Sequence, residues 1–205
     1  MNQKNQDNTL PVMEAFYTIQ GEGSFQGKAA YFIRLGGCDV GCHWCDVKES
    51  WDVDDHPNID VQEIVDNAKK HPAKLAVVTG GEPLMYKLDQ LTEKLQAEGI
   101  ATNLETSGAY PLSGKWDWIC LSPKKFKLPT DDNYQNANEL KMVIYNQSDF
   151  KWAEEQRKKV KSNCRLFLQP EWSKSKEIMP SIIEYVKNNP DWEISLQIHK
   201  FMDIP

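Results

Sequence analysis

Three cysteines fall within eight residues, Cys38, Cys42 and Cys45 in GGCDVGCHWCD, directly after the apolar run Ala29–Leu35. A loop wrapped around a metal centre explains this spacing directly, and the segment is predicted to be one. A structural zinc site takes four ligands, and only His43 or Asp46 lies near enough in sequence to supply the fourth. A [4Fe–4S] cluster held by three protein thiolates leaves one iron open to a further ligand. The spacing is read in that sense, with a zinc site and unliganded thiols as the alternatives. Gly36, Gly37 and Gly41 suit backbone that bends close to a cluster. Cys120 and Cys164 lie in apolar runs and are expected to be small buried hydrophobes.

The rest of the chain narrows the setting. Five cysteines, an odd number, follow a polar opening (MNQKNQDNTLP) that lacks the apolar centre of a secretion signal. A disulfide framework is therefore not expected, and a cytoplasmic location is. Twenty-four basic against 30 acidic residues give a net charge of −6, which argues against a nucleic-acid or anionic-membrane binder. The basic stretch 157–161 reads as a solvated helix face. No apolar run approaches the roughly 18 residues that span a bilayer. A polar tail over 1–10 and a single domain over 11–205 are expected.

Short apolar runs alternate with helical periodicity. Strands are predicted at Ala29–Leu35, Lys74–Val78, Ala101–Leu104, Trp116–Leu121, Leu140–Tyr145, Cys164–Leu168 and Glu193–Ile198. Asp60 can cap a helix over Val61–Lys70 with Val61, Ile64, Val65 and Ala68 on one face. Leu88, Leu91 and Leu95 mark a second helix stopped at Gly99, and further helices are expected near 149–161 and 175–188. The alternation predicts βα units and a mainly parallel α/β sheet. At 205 residues the chain is short of the roughly 250 that eight βα units take, so a trimmed, open partial TIM-like barrel is expected. Its exposed edges make a homodimer the expected remedy.

Polar motifs follow the strand ends, where such sheets build their sites: Thr79-Gly80-Gly81-Glu82-Pro83, Glu105-Thr106-Ser107, Ser122-Pro123-Lys124 and Gln169-Pro170-Glu171-Trp172. The segment Phe16–Gly23 (FYTIQGEG) reads as a polar turn before the first barrel strand. A phosphate-binding reading of its glycines fails, because a strand and not a helix follows. Gln20 and Glu22 offer an amide and a carboxylate, a pair suited to the donor and acceptor edge of a heterocycle. Arg34, inside an apolar strand, needs an anionic partner. It is either in a structural ion pair or a clamp for a ligand carboxylate.

The cysteine loop and TGGEP resemble the signature motifs of the radical S-adenosylmethionine (SAM) enzymes. Together with FYTIQGEG, LSPK (Leu121–Lys124) and the final SLQIHK segment, they make nearly the whole chain resemble the 7-carboxy-7-deazaguanine synthase family. That resemblance implies a radical SAM core and ring contraction of 6-carboxy-5,6,7,8-tetrahydropterin, with loss of ammonia, in queuosine and deazapurine biosynthesis. It implies cluster ligation by Cys38, Cys42 and Cys45. It implies SAM contacts from Trp44, Cys45, Asp46, Gly81, Glu82, Ser107, Ser122, Pro123, Lys124, Gln169, Pro170, Glu171 and Trp172. The pterin would meet Ile19, Gln20, Gly21, Glu22, Thr79 and Pro205, with Arg34 on its carboxylate. His199 is a further candidate, with a structural role as the alternative. No side chain is expected to act as a strong general base, because the SAM-derived radical carries the hard step. A flavodoxin- or ferredoxin-type electron donor is implied. The family's motif usually continues Cys-Asp-Thr, with the threonine hydroxyl helping to bind Mg²⁺. Position 47 here is Val, which puts the Mg²⁺ site in doubt, and the neighbouring Lys48 is an alternative partner for the substrate carboxylate. A glycyl-radical activase is the competing enzyme reading, and an iron–sulfur electron carrier the non-enzymatic one.

Overall fold

The computed structural model of the chain describes residues 8–205. Its strands are β1 (Thr9–Ile19), β2 (Ala29–Leu35), β3 (Asn58–Asp60), β4 (Leu75–Gly80), β5 (Ala101–Thr106), β6 (Trp118–Leu121), β7 (Glu139–Ile144), β8 (Arg165–Pro170) and β9 (Trp192–Ile194). Among the described residues they form one sheet in the order β3-β1-β2-β4-β5-β6-β7-β8-β9. From β2 through β9 every neighbouring pair is parallel, and β1 runs antiparallel to both β2 and β3. The two end strands, β3 and β9, are not paired with each other. The sheet is therefore the open partial barrel that the chain length called for.

Helices α1 (Val61–Lys69), α2 (Asp89–Ala97), α3 (Asp131–Asn136), α4 (Ser148–Arg157), α5 (Ser175–Asn188) and α6 (Ile198–Met202) complete the chain. α1 begins where expected: the Asp60 carboxylate accepts from the Gln62 N–H at 2.7 Å, and Val61, Ile64, Val65 and Ala68 are buried. Strand alternation divides the faces. On β7, Leu140, Met142 and Ile144 join the core that contains Phe150 and Ala153 of α4 and Ile178 and Ile182 of α5. Lys141 and Val143, which alternate with them, line the concave side. The same alternation puts Arg34 of β2 beside Thr79 of β4, directly paired in register, and Val143 beside Gln169 of β8.

The turn between β1 and β2 folds across the concave face. The Gly21 carbonyl accepts from Ile198 N, Gly23 N donates to Ser195 Oγ, and Ser24 N donates to Glu139 Oε2, each at 3.0 Å. A side chain at position 23 would meet Glu139 Oε1 at 2.3 Å, and its φ of +58° favours glycine. The turn thus reaches β7 and the segment after β9 from the far side of the sheet.

Several boundaries differ from the sequence expectation. The polar tail was expected to run to residue 10, but Thr9 and Leu10 belong to β1 and pair with Asp60 and Ile59. Residues 1–7 of that tail lie outside the described residues. Phe16–Ile19, read as part of a turn, completes β1, and Phe16 stacks on its partner Phe32 at 5.5 Å. The strand expected over Glu193–Ile198 stops at Ile194. Ser195 and Gln197 turn their side chains into the interior, to Gln169 Oε1 at 2.8 Å and Glu22 Oε1 at 2.9 Å, and Ile198 opens α6.

Leu10 is fully buried at the β1–β3 end of the sheet. Leu10→Ala is expected to cost about 3 kcal/mol of unfolding free energy, the scale of a buried leucine truncation, read as a lower urea midpoint at unchanged slope.

Candidate active site

A cavity of about 520 Å³ is lined by the C-terminal ends of the parallel strands, the cysteine loop and the segment 197–205. The cysteine loop is pinned on both sides. Gly37 N donates to Ser50 O at 2.7 Å, Cys38 N to Trp51 O at 3.1 Å, and Cys45 N to Cys42 O at 3.0 Å. The TGGEP turn lies against it: Gly81 N donates to Leu35 O and Glu82 N to Gly37 O, both at 2.9 Å. A Cβ at Gly81 would sit 2.2 Å from Gly37 O and 2.9 Å from the Cys38 Cβ. Only glycine allows this approach.

Cys38, Cys42 and Cys45 all face the cavity. Burial pushes the Cys38 thiol up to about 11, and the Glu82 carboxylate and the two other cysteines add to the rise against a backbone hydrogen bond from Val40. Cys42 is raised too, again chiefly by burial. Metal ligation here must displace protons from thiols. The three cysteines line one cavity, and Cys120 and Cys164 are buried outside its lining. Three thiols are one ligand short of a structural zinc site and suit a cluster that keeps one iron open.

Next to the thiols, the cavity is lined by Trp44, Asp46, Gly81, Ser107, Ser122, Lys124, Gln169, Pro170, Glu171 and Trp172. Lys124 donates to Ser122 O at 2.6 Å and Ser122 Oγ at 2.7 Å and lies 5.6 Å from the Trp44 ring centre. Burial pulls its ammonium below the ordinary lysine value. Glu171 braces its own turn, accepting from Ser173 N at 3.1 Å and Ser173 Oγ at 2.6 Å.

Two residues expected to touch the cofactor do not line the cavity, Pro123 and Glu82. Glu82 is 1% exposed and its carboxylate is fully engaged. It accepts from Leu84 N at 3.0 Å, Thr106 Oγ1 at 2.5 Å and Ser107 N at 2.9 Å, and also from Ser107 Oγ. Four donors fill an ionised carboxylate. Glu82 therefore acts from behind, holding Thr106 and Ser107, which do face the cavity.

Ile19, Gln20, Gly21, Glu22, Arg34, Thr79, His199 and Pro205 line the other half. Arg34 pairs through Nε with Glu14 Oε1 at 2.6 Å. That pair takes one of five guanidinium N–H donors, so both readings of Arg34 coexist in the geometry. His199 rests on Gly21, where a Cβ would come within 2.2 Å of Nδ1. Burial holds its imidazole below the ordinary value, with Glu22 pulling upward and Lys200 downward. Thr18 Oγ1 donates to the Pro205 carbonyl at 3.3 Å. At the rim, Lys200 Nζ meets Asp46 Oδ2 at 2.8 Å and lies over the Trp172 ring, whose edge packs on Phe201.

Sequence reasoning placed Glu22 against the substrate but assigned no role to Lys141, which joins it to Glu105 in this half. Lys141 Nζ donates to Glu22 Oε2 at 2.5 Å and to Glu105 Oε2 at 2.6 Å. Burial pushes the Glu22 carboxyl up, but the Lys141 ammonium and hydrogen bonds from Lys141 and Gln197 outweigh it and hold it at about 2. Glu105 is raised by burial and by Glu22, against the pull of Lys141. A lysine inside the apolar run ELKMVI was the available signal, the same one that marked Arg34 in YFIRL.

An open parallel barrel with a glycine-cradled loop of three thiols at its strand ends defines a radical SAM protein, and the radical SAM superfamily profile matches residues 32–120. Full-length similarity is more specific. The 7-carboxy-7-deazaguanine synthase of Flavobacterium psychrophilum is 60% identical over 196 residues, 96% of this chain and 93% of that one. The enzyme of the same name from Synechocystis is 46% identical, covering 96% of this chain and 94% of its own. The crystal structure of QueE from Escherichia coli superposes with a TM-score of 0.84 at 28% identity, covering 92% of this chain and 94% of that one. The chain belongs to the 7-carboxy-7-deazaguanine synthase family.

Glu82→Gln keeps the shape but turns an amide N–H₂ toward groups that are themselves donors. A loss of about 2–4 kcal/mol is expected, measured by denaturant unfolding, together with weaker retention of iron after reconstitution.

Proposed function

We propose that this protein is a carbon–nitrogen lyase that contracts the ring of 6-carboxy-5,6,7,8-tetrahydropterin to 7-carboxy-7-deazaguanine with loss of ammonia, for queuosine and deazapurine biosynthesis. The observation that carries this reading is the single cavity in which three thiols meet a wall of Gln20, Glu22, Arg34 and Thr79, in a chain 60% identical to a named synthase across nearly its whole length. Cys38, Cys42 and Cys45 would hold a [4Fe–4S] cluster. Trp44, Asp46, Gly81, Ser107, Ser122, Lys124 and Gln169–Trp172 would hold SAM, with Glu82 orienting Ser107. When bound, cluster and SAM supply the one-electron chemistry that draws the hydrogen from C6 of the pterin.

The chain's own residues bind, orient and shield. Ile19–Glu22, Thr79 and His199 would hold the heterocycle, and the free N–H groups of Arg34 would take its carboxylate. Pro205 sits within the same wall. His199, whose imidazole burial holds below its ordinary value, offers one donor and one acceptor in its neutral form. Trp172, Phe201 and the Lys200–Asp46 pair border the rim and limit water access to a reactive centre. No strong general base is needed from this set.

The residues around position 47 do not fit a Mg²⁺ site. Val47 faces the cavity without an oxygen. Its neighbour Asp46 is paired with Lys200, and the Ser50 hydroxyl donates to the Val47 carbonyl at 2.7 Å. Mg²⁺ requires hard oxygen donors in near-octahedral array. Lys48, whose ammonium lies 5.9 Å from the Trp51 ring centre, would be the alternative partner for the substrate carboxylate. A reduced or absent Mg²⁺ requirement is proposed.

A flavodoxin- or ferredoxin-type donor would supply the electron. A homodimer would cover the open sheet edges and the exposed Phe126, Leu128 and Ile183. Free thiols and a reducible cluster belong in a reducing compartment, so a cytoplasmic location is proposed. Among the described residues no helix is long and apolar enough to cross a membrane.

The deciding experiment is anaerobic iron–sulfur reconstitution followed by SAM and the carboxytetrahydropterin, with products identified by mass. The deazaguanine acid is the expected product. SAM cleavage without it would favour an activase acting on a protein. Cys42→Ala is expected to abolish SAM cleavage, and turnover should survive chelation of free Mg²⁺. Activity that collapses on chelation and returns about tenfold or more on adding Mg²⁺, a factor worth about 1.4 kcal/mol, would overturn the Mg²⁺ proposal.

A further inference from the structure

The buried ammonium on β7 is joined to two carboxylates, and each carboxylate is held at both oxygens. Lys141, with its side chain 4% exposed, takes Oε2 of Glu22 and Oε2 of Glu105. Gln197 Nε2 donates to Glu22 Oε1 and Gln20 Nε2 donates to Glu105 Oε1, both at 2.9 Å. Gln20 Oε1 in turn accepts from the Glu22 N–H at 3.0 Å. All five residues line the cavity.

We propose that Lys141 is a positioning residue for substrate: its ammonium aims Glu22 and Glu105 so that their remaining lone pairs face the cavity as a joined acceptor for the N–H donors of the pterin's aminopyrimidinone edge. This rests on the substrate reading above. Three observations carry it. The first is charge. One ammonium between two carboxylates gives no advantage over apolar packing, because desolvation of buried ions offsets their attraction; stability alone does not account for the group. The second is capacity. An ionised carboxylate accepts about four hydrogen bonds, and each of these accepts two from side chains. The third is reach. Glu22 sits in the turn after β1 and Glu105 at the end of β5, and Lys141 comes to both from β7. Without the cation the two acids, which share one nitrogen, would repel each other and swing apart. With it, Glu22 stays ionised while Glu105 is raised, so the two carboxylates meet the ligand as unequal partners.

The test compares reconstituted wild-type holoenzyme with Lys141→Met, Lys141→Arg and the double variant Lys141→Met/Glu105→Gln. KM for the carboxytetrahydropterin, equilibrium pterin binding, KM for SAM and the melting temperature are measured for each. Lys141→Met is expected to weaken pterin binding about 10–100-fold, the scale of one charge-assisted hydrogen bond, while KM for SAM stays within about twofold. Lys141→Arg keeps the charge in a different geometry, so it should fold normally and weaken pterin binding less. The double variant removes the excess carboxylate charge. It is expected to regain melting temperature while pterin affinity stays low, because Glu105 is itself one of the acceptors; positioning is read from the pterin-against-SAM split in Lys141→Met and Lys141→Arg. Pterin affinity within about twofold of wild type in any folded Met variant would overturn the inference, as would parallel loss of SAM and pterin affinity. Should neither Met variant fold, unchanged pterin binding in Lys141→Arg overturns it and a selective loss supports it. Wild-type enzyme that neither binds nor converts the pterin would overturn the substrate reading itself, and this inference with it.

Discussion

A partly closed barrel has to fill its concave face without joining its two end strands, and here that filling is charged. The turn between β1 and β2 crosses to β7 and to the segment after β9, and it is held there by its Gly23 and Ser24 N–H groups, which donate to the Ser195 and Glu139 side chains, and by Glu22 on Lys141. Strand pairing would have closed the ring uniformly. Tying it with polar side chains leaves an interior that is rigid yet hydrophilic, because a buried ion held by several partners has few alternative positions of comparable energy. The site and the closure are therefore one structure, and Gln20, Glu22 and Gly21 belong to both.

The second half of the cavity rests on the opposite device, close backbone contact. Gly80 and Gly81 bring the β4 turn against Leu35 and Gly37 at distances that any side chain would forbid. Behind them Glu82 gathers four donors from its own turn and from the end of β5. The thiol loop, the TGGEP turn and Ser107 are joined to one another through these contacts. A shift in any of them would strand a buried carboxylate or a backbone donor.

Much of this was legible in the amino-acid sequence, and the exceptions have physical causes. The α1 cap at Asp60, the Gly99 stop with its φ of +71° and the buried runs of β4, β5 and β8 followed from local patterns. β1 did not, because Glu14 to Thr18 leave its outer face partly solvated and Phe16-Tyr17 break strict alternation. The three thiols were evident because they crowd within eight residues beside Gly36, Gly37 and Gly41. The engagement of Glu82 was not legible for the converse reason: a motif names a residue but not the direction of its side chain, and here donors at the end of β5 meet its carboxylate. Lys141 and Gln197 were missed because their partners lie 119 and 175 residues away in Glu22. No local pattern encodes such a contact, although a lone cation within an apolar strand announces that one exists.

The rim carries its own consequence. α6 is five residues long, and its tie to the thiol loop is the Lys200–Asp46 pair, whose carboxylate side is 58% exposed. An ion pair in such surroundings is worth little and is screened by salt. The same segment is also held further in, by Ile198 N on the Gly21 carbonyl and Gln197 on Glu22. Raised ionic strength should therefore loosen the link between the last helix and the cysteine loop while leaving the segment anchored to the turn after β1.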